Sequence, residues 1–88
     1  MKNSDVARAW ARGQKTSAPN FKTDGRDLYS YNLRIGYTVV DEGGPGYKVA
    51  LDFTAGGRYV SQTTSTHVGL AKRWADEVLD PDRHVTAY

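Results

Sequence analysis

Apolar and polar positions alternate through the middle of the chain. Tyr29, Tyr31, Leu33, Ile35, Tyr37 and Val39 fall on one side of an extended segment, with Ser30, Asn32, Arg34 and Thr38 on the other. A period of two marks a strand with one buried and one wet face. It predicts a long strand over 29–39 whose tyrosine row is core. Gly36 interrupts the row and predicts a bulge or a close backbone approach. A second such strand places Tyr47, Val49, Leu51 and Phe53 inward and Lys48, Ala50, Asp52 and Thr54 outward. Keeping Ile35 near Leu51 requires an odd-length loop between the two strands, or a bulge near Val39 and Val40.

Turn signals bound these runs. Asp24-Gly25 follows the short apolar-polar run Phe21-Lys22-Thr23 and predicts a two-residue hairpin, pairing Thr23 with Arg26 and Phe21 with Leu28. Gly56-Gly57 predicts another, with Phe53 opposite Val60 and Leu51 opposite Gln62. Residues 41–46 carry too much glycine and proline for a strand, and residues 14–20 read as a connecting loop.

Helical spacing appears at both ends. Val6, Ala9 and Trp10 share one side of a helix over 5–12, with Asn3 or Ser4 as N-cap and Gly13 as its left-handed stop. A longer helix over 65–80 begins at Ser65 or Thr66 and stops at Pro81. His67, Val68, Leu70, Ala71, Trp74, Ala75, Val78 and Leu79 give it a wide apolar arc. Such an arc needs a cover, most simply the sheet face bearing Tyr31, Leu33, Ile35, Leu51 and Phe53. The fold class is therefore α+β: a four-stranded antiparallel meander over 21–64 with N- and C-terminal helices, in the order α-β-β-β-β-α. Its C-terminal helix packs on one sheet face, and a polar tail follows over 81–88. Trp10 is expected on the opposite sheet face, over Phe21, Leu28 and Tyr59; the alternative is that both helices share the main face.

Eighty-eight residues make one small domain. Hydrophobic residues at 39% and charged residues at 25% place it among globular chains. No apolar run approaches the length of a membrane span. Residues 1–5 lead into the amphipathic segment and not into a signal-peptide apolar stretch, which predicts a cytoplasmic protein. The absence of cysteine removes disulfides and thiolate metal sites. The net charge of +2 permits a polyanion partner without arguing for one.

Candidate chemistry is sparse. His67 follows Thr63-Thr64-Ser65-Thr66, but no glycine-flanked serine elbow occurs, and Ser65 is explained by helix capping. Asp80, Asp82 and His84 are types that could ligate a divalent cation, in a tail where polar residues are ordinary. No catalytic residue, metal site or cofactor is assigned. The tyrosines interleave with Arg26, Arg34, Lys48 and Arg58, a mixture found on sheets that bind single strands; the alternation, however, puts the rings in the core. The strand-to-helix corner at Thr63, Thr64, Ser65 and His67 carries more hydroxyls than one cap requires.

Thr23-Asp24-Gly25, Tyr29-Ser30-Tyr31, Ile35-Gly36, residues 53–57 and residues 61–68 resemble small uncharacterised proteins of tailed bacteriophages. The likeness covers roughly residues 20–80 and implies a context, a phage accessory protein in the bacterial cytoplasm, without an activity. The expected function is thus non-enzymatic binding of a host or phage protein through Arg34, Lys48, Arg58, Thr63, Thr64, Ser65 and His67. The alternative is nucleic-acid binding by the basic residues of the open sheet face. A membrane partner is not expected, and an exposed sheet edge would allow a homodimer.

Overall fold

The computed structural model describes residues 2–40, 46–54 and 61–81. The chain runs α1 (Asn3–Ala11), β1 (Thr16–Ala18), β2 (Phe21–Thr23), β3 (Leu28–Ser30), β4 (Leu33–Val39), β5 (Tyr47–Leu51), α2 (Gln62–Trp74) and β6 (Glu77–Leu79). The strands form one six-stranded sheet in chain order. Neighbours are antiparallel through β5, and β6 returns parallel to β5 after α2. The α+β class with a helix near each end of the described chain stands; the four-stranded count does not. One added strand, β1, comes from the expected loop at 14–20. Another, β6, comes from the expected end of the C-terminal helix.

The larger correction is to the strand over 29–39. It is two strands joined by a turn at Tyr31 and Asn32, with Ser30 opposite Leu33. Tyr31 takes a φ of 55°, and its amide donates to the Asn20 carbonyl at 2.8 Å. A two-residue turn puts its flanking residues, here Ser30 and Leu33, on the same side of the sheet, so the alternation changes parity there. A register shift near Leu28 and Tyr29 leaves Ile35 as the extra residue facing them, which changes the parity a second time. Tyr29 and Tyr37 thereby point away from the helices, while Leu28, Ser30 and Ile35 face them. The rings expected beneath α2 are not there.

Gly36 fulfils both of its expectations. It adjoins the bulge, and a Cβ at this position would stand 2.8 Å from Trp10 Cζ2 and 3.2 Å from Leu28 Cβ. The indole packs against the sheet where only glycine leaves room. Trp10 therefore covers the same face as α2, and not the opposite one. The core gathers Val6, Ala7 and Trp10 of α1, Phe21, Leu28, Ile35 and Ala50 of the sheet, and Val68 and Ala71 of α2, all fully buried. Two helices on one face of a sheet make a two-layer structure.

Register at the first hairpin is also corrected. Thr23 pairs with Leu28 and Phe21 with Ser30, so residues 24–27 form the loop. Asp24 Oδ1 accepts the amides of Arg26 and Asp27 at 2.9 and 2.8 Å, and Thr23 Oγ1 accepts the Gly25 amide at 3.0 Å. The loop is fastened from above as well: Trp10 Nε1 and Thr38 Oγ1 both donate to the Arg26 carbonyl, at 3.0 and 2.8 Å.

The helices begin earlier than their spacing indicates. For α1 the N-cap is Lys2, without a side-chain cap, and Gly13 follows its end at φ 73° as expected. For α2 the N-cap is Ser61, whose Oγ accepts the Thr64 amide at 3.1 Å. Residues 62–64 are thus helical, where strand was expected. The helix ends at Trp74 because Asp76 is tied to β5: its amide donates to the Lys48 carbonyl and its Oδ2 accepts the Lys48 amide, both at 2.8 Å. Val78 and Leu79 then continue as strand, and Trp74 is 39% exposed rather than core. Within β5 the sides are reversed from expectation: Ala50 joins the helix-facing core, while Val49 and Leu51 are buried outside that cluster; Phe53, beyond the strand, packs against the core as expected. The Gly56-Gly57 hairpin, Arg58, Tyr59, Val60, Asp82 and His84 lie outside the described residues.

Candidate functional site

Among the described residues two groups of polar side chains could do chemistry or binding, and they lie on opposite sides of the sheet. The first is buried beneath α2. Ser30 Oγ stands 2.7 Å from His67 Nδ1 and donates to Thr64 Oγ1 at 3.1 Å. Asn3 Nδ2 meets His67 Nε2 at 3.2 Å, and Ser61 Oγ donates to Thr64 Oγ1 at 3.1 Å. Phe21 stacks on the imidazole, with centroids 4.2 Å apart and planes 3° from parallel. A neutral His67 with its proton on Nδ1 satisfies these contacts in one direction, from Asn3 to His67 to Ser30 to Thr64. Burial lowers the tendency of His67 to take a second proton.

A serine oxygen this close to a histidine nitrogen has the spacing of a nucleophile and its base. Yet Ser30 and His67 are both fully buried, and the serine proton is directed at Thr64. No substrate reaches either atom in this arrangement. The cluster is a polar link joining α1, β3 and α2 across the core, with each buried group partnered.

The second group lies on the sheet face turned away from the helices. Lys22, Tyr29 and Arg34 are successive cross-strand partners on β2, β3 and β4. The Lys22 ammonium stands 5.9 Å from the Tyr29 ring centroid. The Arg34 guanidinium stands 5.3 Å from that of Tyr37. Lys22 and Arg34 are exposed, and both tyrosines are half-buried. Tyr29 donates to Asp27 Oδ2 at 3.4 Å, and Arg34 Nη1 lies 4.0 Å from Asp27 Oδ1. Packing of the Tyr29 phenol, followed by the Asp27 carboxylate, raises its pKa, so the hydroxyl stays protonated. A cleft of about 600 Å³ opens beside this strip, with Lys15, Ser17, Lys22, Asp24 and Tyr29 in its walls. The amides of Asp27 and Arg26 hold the Asp24 carboxyl below the usual range. Toward β5 the face closes, since Val49 and Leu51 are buried; the accessible strip is confined to β2, β3 and β4.

The expected partner residues are therefore dispersed. Arg34 is on the accessible strip. Lys48 is not: its ammonium lies 5.7 Å from the Trp10 ring centroid and donates to the Gly25 carbonyl and Thr38 Oγ1 at 3.0 and 2.6 Å. Burial there lowers its pKa. The expected corner splits. Thr64 and His67 are buried in the polar link, Ser65 is half-buried, and Thr63 faces outward beside Gln62 and Thr66. Asn32 lies in the turn and Asp52 in an ion pair with Lys72 at 3.0 Å, so neither joins Arg34 on the accessible strip. Sequence reasoning assigned Lys22, Tyr29 and Tyr37 to no site. The signal that could have found them is Asn32, a turn former, within an apparently unbroken strand.

Among the described residues no group of histidine and carboxylate side chains could hold a metal ion, and no helix is long and apolar enough to cross a membrane. No protein-family model, curated protein or solved structure matches the chain.

Proposed function

We propose that this protein is a non-enzymatic binding module that holds single-stranded nucleic acid against the helix-free strip of its sheet. One observation carries the reading: tyrosines and cations alternate across β2, β3 and β4 on a face no described helix covers. Sheets that take single strands combine these two elements. Rings stack on bases whatever their identity, and cations contact the phosphates between them. Tyr29 and Tyr37 supply the rings; Lys15, Lys22 and Arg34 supply the charge. The core face offers nothing comparable, because its polar groups are consumed by one another.

Fluorescence anisotropy against single- and double-stranded DNA and RNA, at two salt concentrations, tests this. Single strands are expected to bind more tightly than duplexes, and binding is expected to weaken as salt rises. Binding that ignores salt, or favours duplex, removes the reading.

A second reading is favoured by a different surface. Trp74 and Val78 are 39% and 43% exposed where α2 passes into the edge strand β6. Exposed apolar side chains beside a strand that ends the sheet among the described residues suit a protein partner. In that case the chain is a phage accessory protein engaging a host or phage protein in the bacterial cytoplasm. Loss of a captured partner on Trp74→Ser, with Lys22→Ala and Arg34→Ala retaining it, would support this reading over the first.

A further inference from the structure

Lys22 stands between two concavities. On one side is the cleft against Tyr29; on the other, at the end of the sheet, a second of about 330 Å³ is walled by Ala18, Asn20, Phe21, Tyr31 and Asn32. The second is built by two turns lying side by side, joined by the hydrogen bond from the Tyr31 amide to the Asn20 carbonyl. Asn20 and Tyr31 both have positive φ, 65° and 55°. Asparagine visits this region readily, whereas an aromatic residue does so only under constraint. Glycine is the ordinary occupant of such a turn position. What tyrosine adds there, and glycine would not, is an aromatic side chain, on a residue 46% exposed to solvent that lines the concavity.

We infer that the two concavities hold successive nucleotides of one strand, with Lys22 on the phosphate between them and Tyr31 stacking the second base. This inference rests on the single-strand reading above and adds to it the path of the strand and a base preference. Asn20 and Asn32, both exposed and both lining the second concavity, each offer two donors and an acceptor to a base edge. The Tyr29 side offers a cation-capped ring without a comparable pair of amides, so it accepts any base. Selectivity therefore belongs to the Tyr31 end.

The test is anisotropy of the full chain with labelled single-stranded homopolymers, about ten nucleotides long so as to fill one site. Wild type, Tyr31→Gly, Tyr31→Phe, Lys22→Ala and Arg34→Ala are compared. Wild type is expected to prefer one base. Tyr31→Gly should weaken the preferred oligomer at least about fivefold, as loss of one stack does, and level the homopolymers. Tyr31→Phe keeps the ring and should keep the preference, while Lys22→Ala weakens every oligomer alike. A melting curve accompanies each variant. Glycine suits the backbone at this position, so an unchanged or raised midpoint for Tyr31→Gly shows that lost binding is not lost folding. If Tyr31→Gly binds as wild type does while Lys22→Ala and Arg34→Ala still weaken binding, the inference fails and the single-strand reading stands. If wild type shows no salt-dependent binding to any single strand, both fall.

Discussion

Protonating His67 would put a charge into the middle of the core, against Phe21 and between Asn3 and Ser30. Its folded pKa lies below the unfolded value of about 6.5, so between the two the unfolded chain binds more protons. Its stabilising contribution is complete above that unfolded value and is lost as the pH falls below it toward the folded pKa. Denaturant melts at pH 7 and pH 5 should show lower stability at pH 5, and His67→Gln should flatten the difference. Gly36 offers a second residue-scale test. A methyl group there meets Trp10 and Leu28 inside ordinary contact distance, so Gly36→Ala should destabilise by about 1–3 kcal/mol through overpacking. Equilibrium unfolding followed by tryptophan fluorescence would measure it. Both residues could be singled out from the sequence, one as an interruption of an apolar row and the other as a histidine on a helix's apolar side. What each touches could not.

At the scale of elements, the outcome depended on whether local pattern or a distant contact set the boundary. Gly13 ends α1 by its own backbone freedom, and that stop was legible. The end of α2 was not. Val78 and Leu79 fit the helical period as well as a strand, and only the fastening of Asp76 to Lys48 on β5 makes them strand. Alternation likewise cannot distinguish one long strand from a hairpin whose tight turn and bulge each reverse the parity. Hence the tyrosine row was assigned whole to the core, whereas Tyr29, Tyr31 and Tyr37 stand outside the buried cluster. The start of α2 is governed by Ser61. Ser61→Ala should cost about 1 kcal/mol, measured by urea denaturation, because the Thr64 amide loses its partner at the helix N-terminus.

For the whole molecule, the surplus of two positive charges is small, and the strip itself carries a local surplus of only one, so its pull on a strand is set by where the charges stand. Lys15, Lys22 and Arg34 border it, with Asp24 and Asp27 between them. Three phosphate contacts at about 0.7 ion released each predict a slope of about −2 in log K against log salt for single strands. Asp27→Asn removes a carboxylate from beside Arg34 and Tyr29, in a half-exposed ion pair whose 4.0 Å separation gives it little stabilising value. It should therefore tighten strand binding severalfold at low salt while leaving the melting midpoint nearly unchanged. Anisotropy titrations across a salt series check both expectations. A protein partner on the Trp74 and Val78 surface would respond to neither change.

By itself the sequence determined the α+β class, the helix near the start of the chain and its stop, the antiparallel pairing of the central strands, and the special standing of Gly36. These follow from short-range rules, in which period, capping and turn chemistry act within a few residues. Only the tertiary structure decided which face each tyrosine occupies, where α2 yields to β6, and that Lys48 serves the core while Lys22 serves the surface. Those outcomes depend on contacts between residues far apart in the chain: the indole of Trp10 on Gly36, Asp76 on the β5 backbone, and Asn20 on Tyr31. A single turn or bulge in the sheet exchanges inside for outside along everything that follows it.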